Sequence, residues 1–274
     1  MNGTSNAPWA REERFAAAVA REAGAIVLRW YGEGVHVEWK GRGDPVTEAD
    51  KEANAYIVQE LGREFPGDAV LAEESADDRS RLGKDRLWVV DPLDGTREFV
   101  DRNGEFVVMV ALAAHGRAVA GSIFHPTTGT LLRAREGGGA WAEDASGVRR
   151  LRVSDRADLD AFRLLVSRSH RSPKIDAVRS ALGLHHEETC GSVGLKMARL
   201  ARGDADLYVH FGGGTKEWDL GAPDILIHEA GGAVTDIHGA RIPYNREDVR
   251  TPAPFVASNG ARHREILERL AAIG

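Results

Sequence analysis

Cysteine is almost absent from this 274-residue chain: Cys190 is the only one. A single thiol excludes an internal disulfide framework and a multi-cysteine zinc site, and it fits a reducing compartment. No matching Cys/His pattern marks Cys190 as a nucleophile. Long apolar runs are missing too, since the longest fall far short of the ~20 residues that a spanning helix needs. The opening stretch MNGTSNAPWAREERF carries acids and arginine without an apolar run. Neither a signal peptide nor an anchor is therefore expected, no membrane partner is expected, and the expected location is cytoplasmic. Basic charge is not in excess either. The 36 Lys and Arg against 42 Asp and Glu leave a formal charge of −6, the wrong sign for a general nucleic-acid binder. There is no internal repeat and no low-complexity linker.

What is present is ordinary for a soluble globular protein, with 42% hydrophobic and 28% charged residues. The length suits one large domain or two lobes of roughly 120–150 residues each. Phe15, Val19, Ala23, Ile26, Val27 and Trp30 recur at helical spacing, so a helix is expected from Arg11 to Tyr31. A second is expected from about Thr47 to Glu64, ending before Pro66. DAVLAEES and RLWVV read as strands leading into acidic residues. The run from Glu105 to Ala142 is β-rich and broken by HG, HPTTG and GGG, which predicts an antiparallel meander. Near residue 150 strands begin to alternate with helices: FRLLVSRSH, SPKIDAVRSALG, GLKMARLARG, ADLYVHF and WDLGAPDILIHEAGG. The expected fold class is mixed α/β, with lobes over 1–150 and 151–274.

Four acidic stretches stand out: GDPVTEAD (Asp44 to Asp50), LAEES (Glu73, Glu74), DPLDGT (Asp91, Asp94) and EWDLGAPD (Glu217, Asp219, Asp224). Each has two readings. Asp-Pro and Asp-Gly are common turn dipeptides, Thr47 and the WD pair are natural helix caps, and paired glutamates commonly lie on a solvated face. In VVDPLDGT, Pro92 stiffens the turn. Asp91, the Leu93 carbonyl and Asp94 could then present hard oxygen ligands of the kind Mg²⁺ prefers. Thr96 would orient a water or a phosphate, and a helix beginning there would favour an anion.

Electrostatics links three of them. If Glu73, Asp91, Asp94 and Asp219 converge, each pair ~4 Å apart repels by about 4 kcal/mol at an effective dielectric near 20. Cations would make such a cluster tolerable, and cations would attract phosphate. The chemistry that follows is two-metal hydrolysis of a phosphate ester. No Walker A loop, nucleophile elbow or HExxH motif competes with it.

DPLDGTREF together with WDLGAPDILIHEAGGAVTD resembles the paired signatures of the inositol monophosphatase superfamily, and GDPVTEAD and LAEES resemble its two upstream elements, in the same order. The likeness runs from about residue 11 to 265. It implies a Mg²⁺-dependent, lithium-sensitive phosphatase with an αβαβα sandwich fold. It implies Glu73, Asp91, Asp94, Asp219 and the Leu93 carbonyl as ligands to two or three Mg²⁺ ions, with Asp50 and Thr96 activating the attacking water.

TREF after the glycine, VSRSH and GSVGLK resemble the 3′(2′),5′-bisphosphate nucleotidase (CysQ-type) branch. That likeness implies Gly95, Thr96, His170, Ser192 and Lys196 at the substrate. In LYVHFGGG, His210 stands where inositol phosphatases tend to hold Glu and many nucleotidases Arg. Here it removes a negative charge that would repel a second phosphate. The implied reaction is hydrolysis of 3′-phosphoadenosine 5′-phosphate to AMP, linked to sulfate assimilation. Inositol-1-phosphate and histidinol-phosphate phosphatases share the core and are the alternatives; a regulatory binding protein on the same scaffold would lack a metal ligand, and none of the matched positions is missing. The sequence is compatible with a homodimer, and Arg171, Lys216 and Glu217 carry no assigned role.

Overall fold

The computed structural model describes residues 7–33, 37–41, 44–169, 171–212, 214–252 and 254–273. Two helices, α1 (Ala10–Glu33) and α2 (Glu48–Glu64), flank a short antiparallel pair, β1 (Val37–Gly41) and β2 (Asp44–Thr47). The helical repeat seen in the sequence is the buried stripe of α1, where Val19, Ala23 and Val27 are sealed off. α2 starts at a capping box. The Thr47 N–H donates to Asp50 Oδ2 (2.8 Å), and the Ala49 N–H donates to Thr47 Oγ (3.2 Å).

A seven-stranded sheet follows. Its strands are β3 (Ala69–Ala72), β4 (Arg86–Asp94), β5 (Val107–Ala114), β6 (Arg117–His125), β7 (Thr130–Arg135), β8 (Gly139–Asp144) and β9 (Gly147–Arg150). Each pairs with the next in that order, β3 and β4 in parallel and the rest antiparallel, so the predicted meander is there. A short helix, α3 (Thr96–Val100), leaves the end of β4. The second sheet has the order β11-β10-β12-β14-β13, from β10 (Arg163–Ser167), β11 (His186–Cys190), β12 (Leu207–His210), β13 (Ala233–Asp236) and β14 (Phe255–Ser258). Its helices are α4 (Ile175–Leu182), α5 (Val193–Ala201), α6 (Glu217–Glu229) and α7 (His263–Leu270). β11 is not legible in HHEETC because it is an edge strand whose polar side chains face water.

Strand alternation sorts these elements into layers. Trp88 and Val90 face α1 and α2, while Leu87 and Val89 face α5 and α6. In the second sheet, Leu165, Tyr208 and Phe255 face the same central helices, and Leu164, Leu207 and Val256 face α4 and α7. The result is an αβαβα stack. α6 lies between the two sheets, and Leu220 to Ile227 are all buried; a helix covered on both sides reads as apolar all round.

Close approach of α6 to the first sheet depends on glycine. A Cβ at Gly221 would overlap Val89 Cγ2 and stand 3.2 Å from Ala111 Cβ, and one at Gly121 would stand 3.0 Å from Ala222 Cα. Gly221→Val is therefore expected to destabilise the fold by about 1–3 kcal/mol, because it overpacks a filled interface. A urea midpoint equal to that of the wild type would contradict this packing. Among the described residues no helix is long and apolar enough to cross a membrane.

Candidate active site

Asp91 and Asp94 are three residues apart, which in a regular strand puts their side chains on opposite faces. The pairing with β5 breaks that rule. Asp91 is opposite Met109 and Asp94 is opposite Val107, so three steps on β4 match two on β5. This β-bulge at Pro92 and Leu93 inserts one extra residue and restores the phase. Leu93 turns into the core beside α1 and α2, and both aspartates face the central helices. The Leu93 N–H donates to Asp91 Oδ1 (3.0 Å), which braces the bend.

Asp219, in the first turn of α6, completes a trio. Asp91, Asp94 and Asp219 each bring a carboxylate oxygen within 4.8 Å of the others. Glu73 stands beside them, because its N–H donates to the Val90 carbonyl (3.1 Å) just before Asp91. Burial, followed by the charges of Glu73, Asp94 and Asp219, pushes the Asp91 carboxyl well above its ordinary range. Positive helix ends offset part of this repulsion. Asp94 accepts from the Gly194 N–H (2.5 Å), the Val193 N–H (3.3 Å) and the Ser192 hydroxyl (2.5 Å) at the start of α5. Asp219 Oδ2 accepts from the Lys216 N–H (2.5 Å) at the start of α6. Crowded carboxylate oxygens, three of them within reach of one point, are the donor set of a hard divalent cation, and the residues present fit one.

Asp50 works with both of its oxygens. Oδ2 closes the capping box of α2, taking the Thr47 N–H and hydroxyl, while Oδ1 accepts from the Thr96 hydroxyl (3.0 Å). Asp50 thus caps α2 and meets Thr96 at the same time. Thr96 Oγ also lies 3.1 Å from the Leu93 carbonyl, so the Asp50–Thr96 pair adjoins the trio. Burial raises the Asp50 carboxyl to about 6. Gly95 makes the sharp exit from β4 at φ +97°, where a Cβ would stand 2.8 Å from the Glu105 carbonyl oxygen.

The trio lines a cleft of ≈740 Å³ walled by residues from both sheets. Ser192, in the left-handed region at φ +54°, donates its hydroxyl to Asp94 and accepts the Leu195 N–H (2.9 Å). Lys196 is buried in the lining of the cleft, with its ammonium donating to the Ser192 carbonyl (2.5 Å) and the Cys190 carbonyl (3.4 Å). Burial pulls its pKa down. His210 stacks on Phe255 at 5.0 Å and pairs Nδ1 with the Tyr208 hydroxyl (3.2 Å); burial lowers it to about 4, so it is neutral. His170 lies outside the described residues.

Glu98 is buried and accepts from the Ser169 hydroxyl (2.6 Å), tying α3 to the loop after β10. Arg171 pairs with Asp176 and Glu187 on the surface. Glu217 is sealed at the start of α6, where it accepts the Asn245 and Arg246 N–H groups (2.7 and 2.8 Å). Two cations that sequence reasoning left without a role, Lys174 and Lys216, line the cleft. Nothing local marks them, since a lysine beside a helix start is commonplace.

The profile described as the inositol monophosphatase family matches residues 9–273. A 3′(2′),5′-bisphosphate nucleotidase CysQ of Escherichia coli (strain K12) is 36% identical over 85% of this chain and 94% of that protein. An inositol-1-monophosphatase of Mesorhizobium japonicum is 33% identical over 91% and 92%. Among solved structures, CysQ from Bacteroides thetaiotaomicron superposes with a TM-score of 0.79 at 31% identity, covering 93% of this chain and 99% of that one.

Proposed function

This chain belongs to the inositol monophosphatase family and is a phosphatase of phosphorylated small molecules, and from that premise we propose that it hydrolyses 3′-phosphoadenosine 5′-phosphate to AMP and phosphate. The observation that carries this reading is the part of the cleft lining that β12 and the residue after it supply. His210, Tyr208 and Phe211 make it neutral and aromatic. A polyhydroxy ring would gain from a carboxylate accepting its hydroxyls, whereas a base and a second phosphate favour aromatic faces and the absence of negative charge. The CysQ relatives of Escherichia coli and Bacteroides point the same way.

Mg²⁺ ions held by Glu73, Asp91, Asp94, Asp219 and the Leu93 carbonyl would acidify the attacking water and neutralise charge on the phosphoryl and leaving oxygens. The residues of the chain do the rest. Thr96 Oγ accepts a proton from the water as its own passes to Asp50 Oδ1, which lies in hydrogen-bonding contact with it. Ser192 and the α5 amides fix Asp94, so the metal-facing side of the cleft is rigid before substrate arrives. The hydroxide so formed then attacks the 3′-phosphorus in line, the bond from phosphorus to the 3′-oxygen breaks, and the 3′-oxygen takes a proton from solvent to become the hydroxyl of AMP.

The test is a comparison of kcat/KM for 3′-phosphoadenosine 5′-phosphate, inositol 1-phosphate, fructose 1,6-bisphosphate and histidinol phosphate. The expected winner is the nucleotide by at least about tenfold, the factor that 1.4 kcal/mol of extra transition-state binding supplies. Equal or better turnover of inositol 1-phosphate would move the assignment to the activity named for the Mesorhizobium relative.

A further inference from the structure

Two charged side chains with no part in the mechanism are sealed from water, Arg81 at 2% exposure and Glu217 at 0%. One residue, Asn245, joins them. Its side-chain oxygen accepts from Arg81 Nη1 (3.1 Å), and its own backbone N–H donates to Glu217 Oε2 (2.7 Å). Its side-chain nitrogen donates to the Arg81 and Lys84 carbonyls (3.0 and 2.9 Å). Glu217 Oε1 accepts from the next N–H, that of Arg246 (2.8 Å). Asn245 holds a left-handed backbone at φ +62°, which asparagine tolerates better than most residues.

The three residues come from segments remote in sequence, and two of those segments carry carboxylates of the candidate metal site. Arg81 lies in a single 3₁₀ turn (Ser80–Gly83) on the loop that begins with Glu73 after β3. The start of that loop is held by the Glu73 N–H on the Val90 carbonyl and by Asn54 Nδ2 donating to Ser75 Oγ (3.0 Å). Arg81 braces its far part, with Nε and Nη2 donating to Asp77 Oδ2 (3.0 and 2.9 Å). Glu217 opens α6, two residues before Asp219. Asn245 lies on the crossover from β13 to β14, which runs beside the start of α6. There the Glu217 N–H donates to the Val249 carbonyl, and the Thr251 N–H to the Thr215 carbonyl (both 2.9 Å).

We infer that Arg81, Asn245 and Glu217 are positioning residues, a latch that fixes the Glu73 loop against the Asp219 end of α6. Asp91 and Asp94 are held by the register of β4, whereas Glu73 and Asp219 come from a loop and a helix end. Repulsion among the carboxylates drives those two outward, and the latch resists it before cations arrive. A buried charged network contributes little net stability compared with apolar side chains of the same volume; what it imposes is one geometry. The latch acts on cation binding whichever phosphate ester is hydrolysed, so it stands apart from the choice of substrate.

Asn245→Gly deletes the joint while keeping the left-handed backbone and the N–H that Glu217 uses. Arg81→Met breaks it from the other side and fills the space with an apolar chain. Leu164→Ala, buried where β10 meets the outer helices, is the control for lost stability alone. Mn²⁺ titrations followed by electron paramagnetic resonance, at a temperature where circular dichroism shows each protein folded, give the dissociation constants. Both latch variants are expected to bind Mn²⁺ about tenfold more weakly, the low end for residues that orient metal ligands. The Mg²⁺ concentration for half-maximal activity is expected to rise by the same factor. Leu164→Ala is expected to keep the wild-type constant although it melts at a lower temperature. Latch variants with the wild-type Mn²⁺ constant, or a control weakened as much as they are, overturn the latch.

The wild type supplies a second readout that needs no variant. Linkage requires that Mn²⁺ tighten the latch in turn, so hydrogen exchange at the Asn245 and Arg246 N–H groups should slow on metal binding. Unchanged exchange at both positions also overturns the latch. A wild type that binds no Mn²⁺ removes the cation site itself, and the latch with it.

Discussion

Asp91→Asn is expected to abolish turnover and, in the absence of divalent cations, to make the protein more stable. Both effects come from one charge. Asp91 is buried, hemmed in by the charges of Glu73, Asp94 and Asp219, and its carboxyl is driven well above the ordinary value of 3.8. An acid whose folded pKa is raised binds its proton more tightly when folded. The contribution of this group to the stability of the metal-free wild type is therefore greatest at acid pH, and it is lost as pH rises from about 4 through the elevated value. Asparagine keeps an oxygen for the Leu93 N–H and takes the charge away. Relief of even about 2 kcal/mol raises Tm by roughly 4–8 °C in a domain of this size.

Divalent cation reverses the comparison, because the wild-type carboxylate is then a ligand. Thermal melts with EDTA and with Mg²⁺ should show a large Mg²⁺-induced rise for the wild type and a much smaller one for the variant. Loss of several kcal/mol of charge stabilisation in the transition state corresponds to a drop in kcat of at least about a thousandfold. An Asp91→Asn protein that melts below the metal-free wild type at pH 7, or that keeps its phosphatase activity, would refute the account of the trio.

Asp50→Asn is the second large effect, and it separates catalysis from metal binding. The expected loss in kcat is about 10²–10⁴-fold, the usual contribution of a positioned proton acceptor. Mn²⁺ affinity should hardly change, since Asp50 bonds Thr47 and Thr96 rather than the trio. A base must be deprotonated to work, and burial lifts this one to about 6. At saturating Mg²⁺, kcat of the wild type should therefore fall as pH drops through about 6, and the residual rate of the variant should lack that limb. Thr47→Ala is the control, because it removes the cap of α2 at a cost of about 1 kcal/mol without removing the carboxylate. If Thr47→Ala and Asp50→Asn lower kcat alike, Asp50 serves only as the cap.

Lys196 shows how far local reading reaches. The motif GSVGLK drew attention to it as a cation for a substrate phosphate, and the folded chain sets it in the lining of the cleft with its ammonium donating to two carbonyls. Lys174 and Lys216, in no motif at all, line the same cleft. A sequence motif identifies side-chain type and spacing, and it says nothing about which side chains remain exposed once sheets and helices close around them.

Read alone, the chain determined what depends on neighbours in sequence. That includes the stripe of α1, the cap at Thr47, the antiparallel meander and the sharp exit at Gly95. These follow from periodicity and backbone stereochemistry within a few residues. Tertiary structure alone decided that Asp91 and Asp94 share a face, because their phase is set by the register against Met109 and Val107 on β5. It also decided that Asp219 meets them, because α6 is clamped between two sheets through Gly221 and Ala222. Register and packing join residues far apart in the chain, and no local pattern encodes those distances.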